Sequence, residues 1–311
     1  MEAFNGVRMS ARTAASLVLV CLPISKAFAD QAGYVGSETC KACHEEIYNT
    51  FQKTPHAAIE KGSGPSWLKE SWAQKSCESC HGPGAKHAES ASGNDIRNLA
   101  KLSPPEVDHT CLACHLNQNT RGGRIASGHA KDQVGCTTCH FIHGGGELVE
   151  HSRPVINSRC ATCHITQWDA FNRPYRHRLP EGAMSCVDCH NPHASFAWDS
   201  MQKAYGNEPG CLGCHSDKRG PFVFEHAVVR LGGCIACHEP HGSQNPRMLV
   251  RHEQRLVCLE CHANLPNSSI QKTRLGVVPP AFHDLRSTVF QNCTICHVKV
   301  HGSYVDRALL R

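Results

Sequence analysis

Twenty cysteines and ten histidines recur in one five-residue pattern, Cys-x-x-Cys-His. The cysteine pairs are Cys40/Cys43, Cys77/Cys80, Cys111/Cys114, Cys136/Cys139, Cys160/Cys163, Cys186/Cys189, Cys211/Cys214, Cys234/Cys237, Cys258/Cys261 and Cys293/Cys296. The histidines that close them are His44, His81, His115, His140, His164, His190, His215, His238, His262 and His297. This pattern is the attachment site of c-type haem. Two intervening residues let both sulfurs face one porphyrin edge and bond its vinyl groups as thioethers. The next residue turns its imidazole under the iron. The expected cofactor is therefore ten covalent haems, with the ten motif histidines as proximal ligands.

A second set of histidines is in register with the first. One spare follows every motif: His56, His87, His129, His143, His177, His193, His226, His241, His283 and His301. Their offsets from the motif histidine run 12, 6, 14, 3, 13, 3, 11, 3, 21 and 4, alternately long and short. Ten spares for ten irons predict bis-histidine ligation throughout. Which spare caps which iron stays open, because a distal ligand can come from a neighbouring unit. His109, His151 and His252 stand outside the alternation and read as solvated side chains. Methionine, the other usual sixth ligand, is represented after residue 29 only by Met184, Met201 and Met248, out of period.

The alternation also predicts the architecture. Paired motifs begin near residues 40, 111, 160, 211 and 258, with steps of 71, 49, 51 and 47. A near-constant period of this kind marks a repeat array, here five two-haem units with an insertion in the first. An exported chain this rich in cysteine could instead be a disulfide scaffold, and Cys-x-x-Cys alone serves zinc or redox sites. None of these explains a histidine after every pair.

Residues 1–29 read as a secretory signal peptide, with Arg8 and Arg12 before an apolar run and Ala27-Phe28-Ala29 as the cleavage pattern. A lipoprotein signal modified at Cys21 is the rival, disfavoured by the bulky Val20 before it. The remaining residues 30–311 form the expected decahaem domain, at about 28 residues per haem. Aromatic residues are only 6% of the chain, and 17 prolines with 25 glycines interrupt it. The fold class expected is a multihaem cytochrome c, irregular apart from short helices, with the porphyrins as its core. One helical turn is expected at each motif, and short helices near 47–59, 66–75 and 169–171. Residues 82–84, 144–146 and 264–280 read as loops, and no strand pattern stands out. No later segment is long and apolar enough to cross a bilayer. The formal charge of +5 falls to +3 without Arg8, Arg12, Lys26 and Glu2. Ten haems would add about twenty propionates, so the sequence charge implies no nucleic-acid partner.

The chain resembles the periplasmic decahaem cytochromes of the MtrA/PioA/DmsE type. The likeness rests on the motif count, CHNPHAS at 189–195, CLGCHSDKRGPFVFEHAVVRLGGCIACHEPHGS at 211–243 and CTICHVKVHGS at 293–303. It implies a nearly linear row of bis-histidine haems in an elongated array, and electron transfer between periplasm and cell exterior without enzymatic turnover. It also implies a periplasmic location at the outer membrane. The partners it implies are an outer-membrane β-barrel protein, an extracellular multihaem cytochrome or terminal reductase, and periplasmic donor or acceptor cytochromes. A free periplasmic shuttle or a nanowire subunit is the alternative. A multihaem enzyme such as a nitrite reductase would need one iron left open.

Overall fold

A computed structural model describes residues 33–63, 72–115, 127–144, 152–193, 201, 209–231, 233–262, 283, 285 and 287–311. The signal segment and residues 264–280 lie outside these, as do His151 and most of the helix expected at 66–75.

Every Cys-x-x-Cys-His run coincides with a helical turn or follows directly from one. The turns are Ser37–Lys41, Ser76–His81, Pro104–His115, Cys136–Thr138, Arg153–Ala161, Cys186–Cys189, Gly210–Gly213, Cys234–Ala236, Gln254–Leu259 and Cys293–Cys296. In eight of them the histidine amide donates to the carbonyl of the first cysteine at 2.9–3.0 Å. In the other two, at Cys77 and Cys111, the histidine closes the helix itself. Residues i, i+3 and i+4 of one turn share a face, so both sulfurs and the imidazole emerge together.

The expected turn is shorter than the motif at six sites. Its helical part ends one or two residues before the second cysteine, at Cys43, Cys139, Cys163, Cys214, Cys237 and Cys261. In each of the six, the second cysteine's amide still donates to the carbonyl of the first at 3.2 Å. That bond, together with the histidine amide's bond to the same carbonyl, holds the turn where the helix has stopped.

Between motifs the helices are short, and the described residues contain little sheet. The helix expected at 47–59 is two, Glu45–Phe51 and Ala57–Glu60, parted by the turn around Pro55. Proline restricts the residue before it away from the helical region. The one expected at 169–171 starts earlier, as Ile165–Ala170. Contrary to the strandless expectation, β1 (Phe224–Glu225) pairs antiparallel with β2 (Gly302–Ser303). A single bridge, Tyr175 to Ser243, repeats that clasp one unit earlier.

The apolar core is minimal. Among the described residues only Phe51, Ala57, Val107, Ala170, Phe171 and Leu179 are buried hydrophobics. Buried polar groups do as much of the tying. Glu78 receives the amides of Val35, Gly36 and Gly84 at 2.8–3.0 Å. Asn157 donates to the carbonyls of Leu179 and Met184 and accepts from the Cys186 amide at 3.0 Å. So few buried apolar side chains cannot by themselves offset the conformational entropy of ordering the described residues.

Candidate haem-binding sites

The first cysteines of successive motifs meet in pairs. Cys40 hydrogen-bonds Cys77, Cys111 bonds Cys136, Cys160 bonds Cys186, Cys211 bonds Cys234, and Cys258 bonds Cys293. Sharing a hydrogen with Cys40 draws the Cys77 thiol down to about 6, and Cys234 does the same for Cys211. The partner thiols Cys40 and Cys234 are pushed up. Polar residues three positions before an odd-numbered motif help hold the motif that follows it. Asp108 accepts from the Cys136 amide at 2.9 Å and Asn157 from that of Cys186. Their spacing to the first cysteine was readable, but spacing alone does not reveal which amide they cap.

The sequence treats both cysteines of a motif alike, whereas the structure sets them in different surroundings. The second cysteines take no part in the five pairs above. Cys43, Cys163, Cys214, Cys261 and Cys296 are exposed, and Cys139 is half-buried. Cys163 receives the Thr162 hydroxyl at 3.9 Å, and the Cys139 carbonyl accepts from the Arg159 guanidinium at 2.7 Å. The remaining four, Cys80, Cys114, Cys189 and Cys237, are half-buried, and burial pushes their thiols up. Thiols of the next unit add to that rise: Cys111 and Cys114 at Cys80, Cys211 and Cys214 at Cys189, and Cys261 at Cys237. No described cysteine is in a disulfide.

The histidines meet in ten pairs, each joining one motif histidine to one in-register spare. Ring centroids are 6.1 Å apart in His44–His87, 5.7 Å in His81–His143, 5.9 Å in His115–His56 and 5.9 Å in His140–His193. His164–His129 and His190–His241 lie at 6.1 and 6.0 Å. His215–His177, His238–His301, His262–His226 and His297–His283 lie at 6.3, 6.3, 6.1 and 6.5 Å. Two metal–nitrogen bonds of about 2.0 Å, plus the half-width of each ring, give a centroid separation of about 6 Å. The gap in every pair is thus the width of one iron held from both sides. Among the described residues no group of three or more metal-binding side chains converges. His109 and His252 are exposed and belong to none of the ten pairs.

The pairs cross between units in a regular way. The proximal histidine of each second motif faces the spare of the following unit: His81 with His143, His140 with His193, His190 with His241, His238 with His301. That of each first motif faces the spare of the preceding unit: His115 with His56, His164 with His129, His215 with His177, His262 with His226. Only the terminal pairs, His44–His87 and His297–His283, close within their own unit.

Backbone carbonyls set the imidazole tautomers. The Nδ1–H of His81 donates to Arg97, of His87 to Ser92, of His238 to Arg247 and of His297 to Ala308, at 2.6–2.9 Å. His129 donates to Pro192 and His177 to Pro240, at 3.1 and 2.8 Å. Each bond leaves Nε2 free to ligate, the arrangement usual for metal-bound histidine. Burial lowers the pKa of His143, His262 and His301, favouring the neutral ligating form. Pro192 and Pro240 were missed as functional residues. Their signal is the shared CH-x-P-H spacing at 189–193 and 237–241.

Glycines give the short-offset spares their clearance. Gly144, Gly242 and Gly302 each follow one and have positive φ. A Cβ on Gly242 would sit 2.2 Å from the Ala170 carbonyl oxygen, and one on Gly302 2.2 Å from the Phe222 ring.

Covalent attachment motifs on short turns, with a second histidine opposite each, define a multihaem c-type cytochrome, an electron-transfer class. Family profiles agree: "Doubled CXXCH motif" matches residues 178–220 and 226–267, and "Cytochrome c554 and c-prime" matches 39–66 and 83–141. The multihaem cytochrome MtrA of Shewanella baltica (strain OS185) is 35% identical over 280 residues, 86% of this chain and 78% of that protein. The cytochrome c-type protein NrfB of Escherichia coli O6:H1 (strain CFT073) is 31% identical over 144 residues, 40% of this chain and 73% of its own. This chain belongs to the MtrA family of multihaem cytochromes.

Proposed function

We propose that this protein carries single electrons along ten bis-histidine c-type haems, arranged as five two-haem units, between the periplasm and the cell exterior. In this reading it works at the outer membrane inside a β-barrel partner, between periplasmic cytochromes and an extracellular multihaem cytochrome or terminal reductase. The observation that carries it is the set of ten histidine pairs, eight of them crossing between adjacent units. Both thiols of every motif hold the porphyrin, including the exposed Cys43, Cys163, Cys214 and Cys261 and the half-buried Cys139. Bound there, haem supplies a one-electron iron couple.

The chain's own contribution is positional. Two histidines per site leave no coordination position for a substrate, which favours transfer over catalysis. The same two ligands suit both oxidation states, so little moves when charge passes. Crossed ligation ties each unit to the next, and the close approach of the two first cysteines sets the two sites of a unit side by side. This pattern supports a row in chain order with the Cys40 and Cys293 sites at its ends. Residues 1–29 as an export signal, and 30–311 as the cytochrome domain, belong to the same proposal.

Cell fractionation tests it. The mature protein is expected in the outer-membrane fraction, co-purifying with a β-barrel in mild detergent. Recovery as a free species in the soluble periplasmic fraction would make it a shuttle instead.

A further inference from the structure

We infer that the spacing within the CH-x-x-H runs sets the plane of the facing distal imidazole, so that crossed and less crossed histidine pairs alternate from the His81 site to the His238 site. This rests on the ligation proposed above.

The angles between ring planes separate the sites. The pairs at His115, His164 and His215 are steeply crossed, at 77°, 50° and 60°. Their chain neighbours at His81, His140, His190 and His238 stand at 17°, 12°, 36° and 10°. The end pairs, at His44 and His297, stand at 19° and 41°.

The cause lies at the junctions. His129 and His177 are tethered through Nδ1 to the carbonyl just before the next unit's short-offset spare, at Pro192 and Pro240. In both cases that spare follows its motif histidine by three residues. His143 has the same offset, with Ile142 before it, and the corresponding pair at His115 is the most crossed of all. The last junction is an internal control. Its offset is four, from His297 to His301, and the pair His262–His226 opens to only 20°. Yet the backbone clasp there is the same: the residue two before the long-offset spare pairs with the residue two after the short-offset one, as Tyr175 with Ser243 and Phe224 with Ser303. One extra residue moves the carbonyl while the clasp stays, and the imidazole turns.

Ring orientation matters because each imidazole donates π density to the iron d orbital lying across its plane. Parallel rings act on one orbital and split the pair. Crossed rings act on both and leave them nearly degenerate, so the g tensor becomes strongly anisotropic. Alternate sites therefore differ electronically although every ligand is histidine. The prolines and their carbonyls are positioning residues for this difference.

Electron paramagnetic resonance of the fully oxidised, fully loaded protein tests the inference. We expect ten low-spin signals, three of them strongly anisotropic and the rest largely rhombic. In His177→Gly the crossed intensity should drop by one third, replaced by one high-spin site, with the rhombic intensity unchanged. A wild-type spectrum that is rhombic throughout would overturn the inference, as would a variant whose loss comes from the rhombic component. High-spin iron in the wild type would instead defeat the bis-histidine reading itself. The wild-type spectrum decides even where the variant fails to mature.

Discussion

At the scale of the residue, ligand geometry depends on small groups beside the histidines as much as on the histidines. The run His241-Gly242-Ser243 shows this. Gly242 has a φ of 138° and lies against the Ala170 carbonyl. The buried Ser243 donates to Leu249 at 2.7 Å. Gly242→Ala has to move backbone, and strain of this kind costs about 1–3 kcal/mol. His241 should then withdraw from His190, and the reduced protein should bind carbon monoxide at one new site. Gly93→Ala, in open space, should bind none. Equal carbon monoxide binding by the two variants would show that the glycine has no part in placing the ligand.

At the scale of the element, stability resides in polar caps joining short turns. Asn157 is 1% exposed and serves three backbone groups from the far side of a two-motif unit. Replacing it by alanine leaves those groups buried and unpaired, at about 1–3 kcal/mol for each one that water does not reach. Thermal unfolding of the loaded protein, followed by circular dichroism, should show a clear fall in midpoint for Asn157→Ala. Ser158→Ala, which loses one exposed bond to the Val155 carbonyl, should change little. A helical turn at each motif was legible because the motif chemistry needs one. Its early end at Cys43, Cys139, Cys163, Cys214, Cys237 and Cys261 was not, since the pentapeptide is the same where the helix continues. The split of 47–59 turned on Pro55, and the β1–β2 clasp was not legible, because two-residue strands have no periodicity to read.

At the scale of the whole molecule, ten sites and serial contacts predict mass and shape. The denatured mature protein should stay red and weigh ten haems more than its chain. Nine or fewer in a fully matured sample would defeat the count. A compact globule of 282 residues, the 311 less the 29 of the expected signal, would have a radius of gyration of about 19 Å. Small-angle scattering of the isolated protein should clearly exceed that, since the clasps described join neighbouring units. Scattering as a sphere would favour a storage or shuttle role. Chain produced without haem attachment should lack a cooperative melt, for want of an apolar core.

The amino-acid sequence by itself determined the haem-attachment motifs, each closed by a histidine, and marked a second set of histidines in register with them. A Cys-x-x-Cys-His run is complete within a few residues and needs no distant partner, and the alternating offsets mark the spares. It also carried the family resemblance, in the motifs and the residues between them. Only the tertiary structure decided which spare faces which motif. Paired histidines lie 14 to 63 residues apart, and nothing local distinguishes a ligand kept within its unit from one lent to the next. It likewise decided the angle at which each pair meets, because that angle is set where a carbonyl from one unit reaches an imidazole of another.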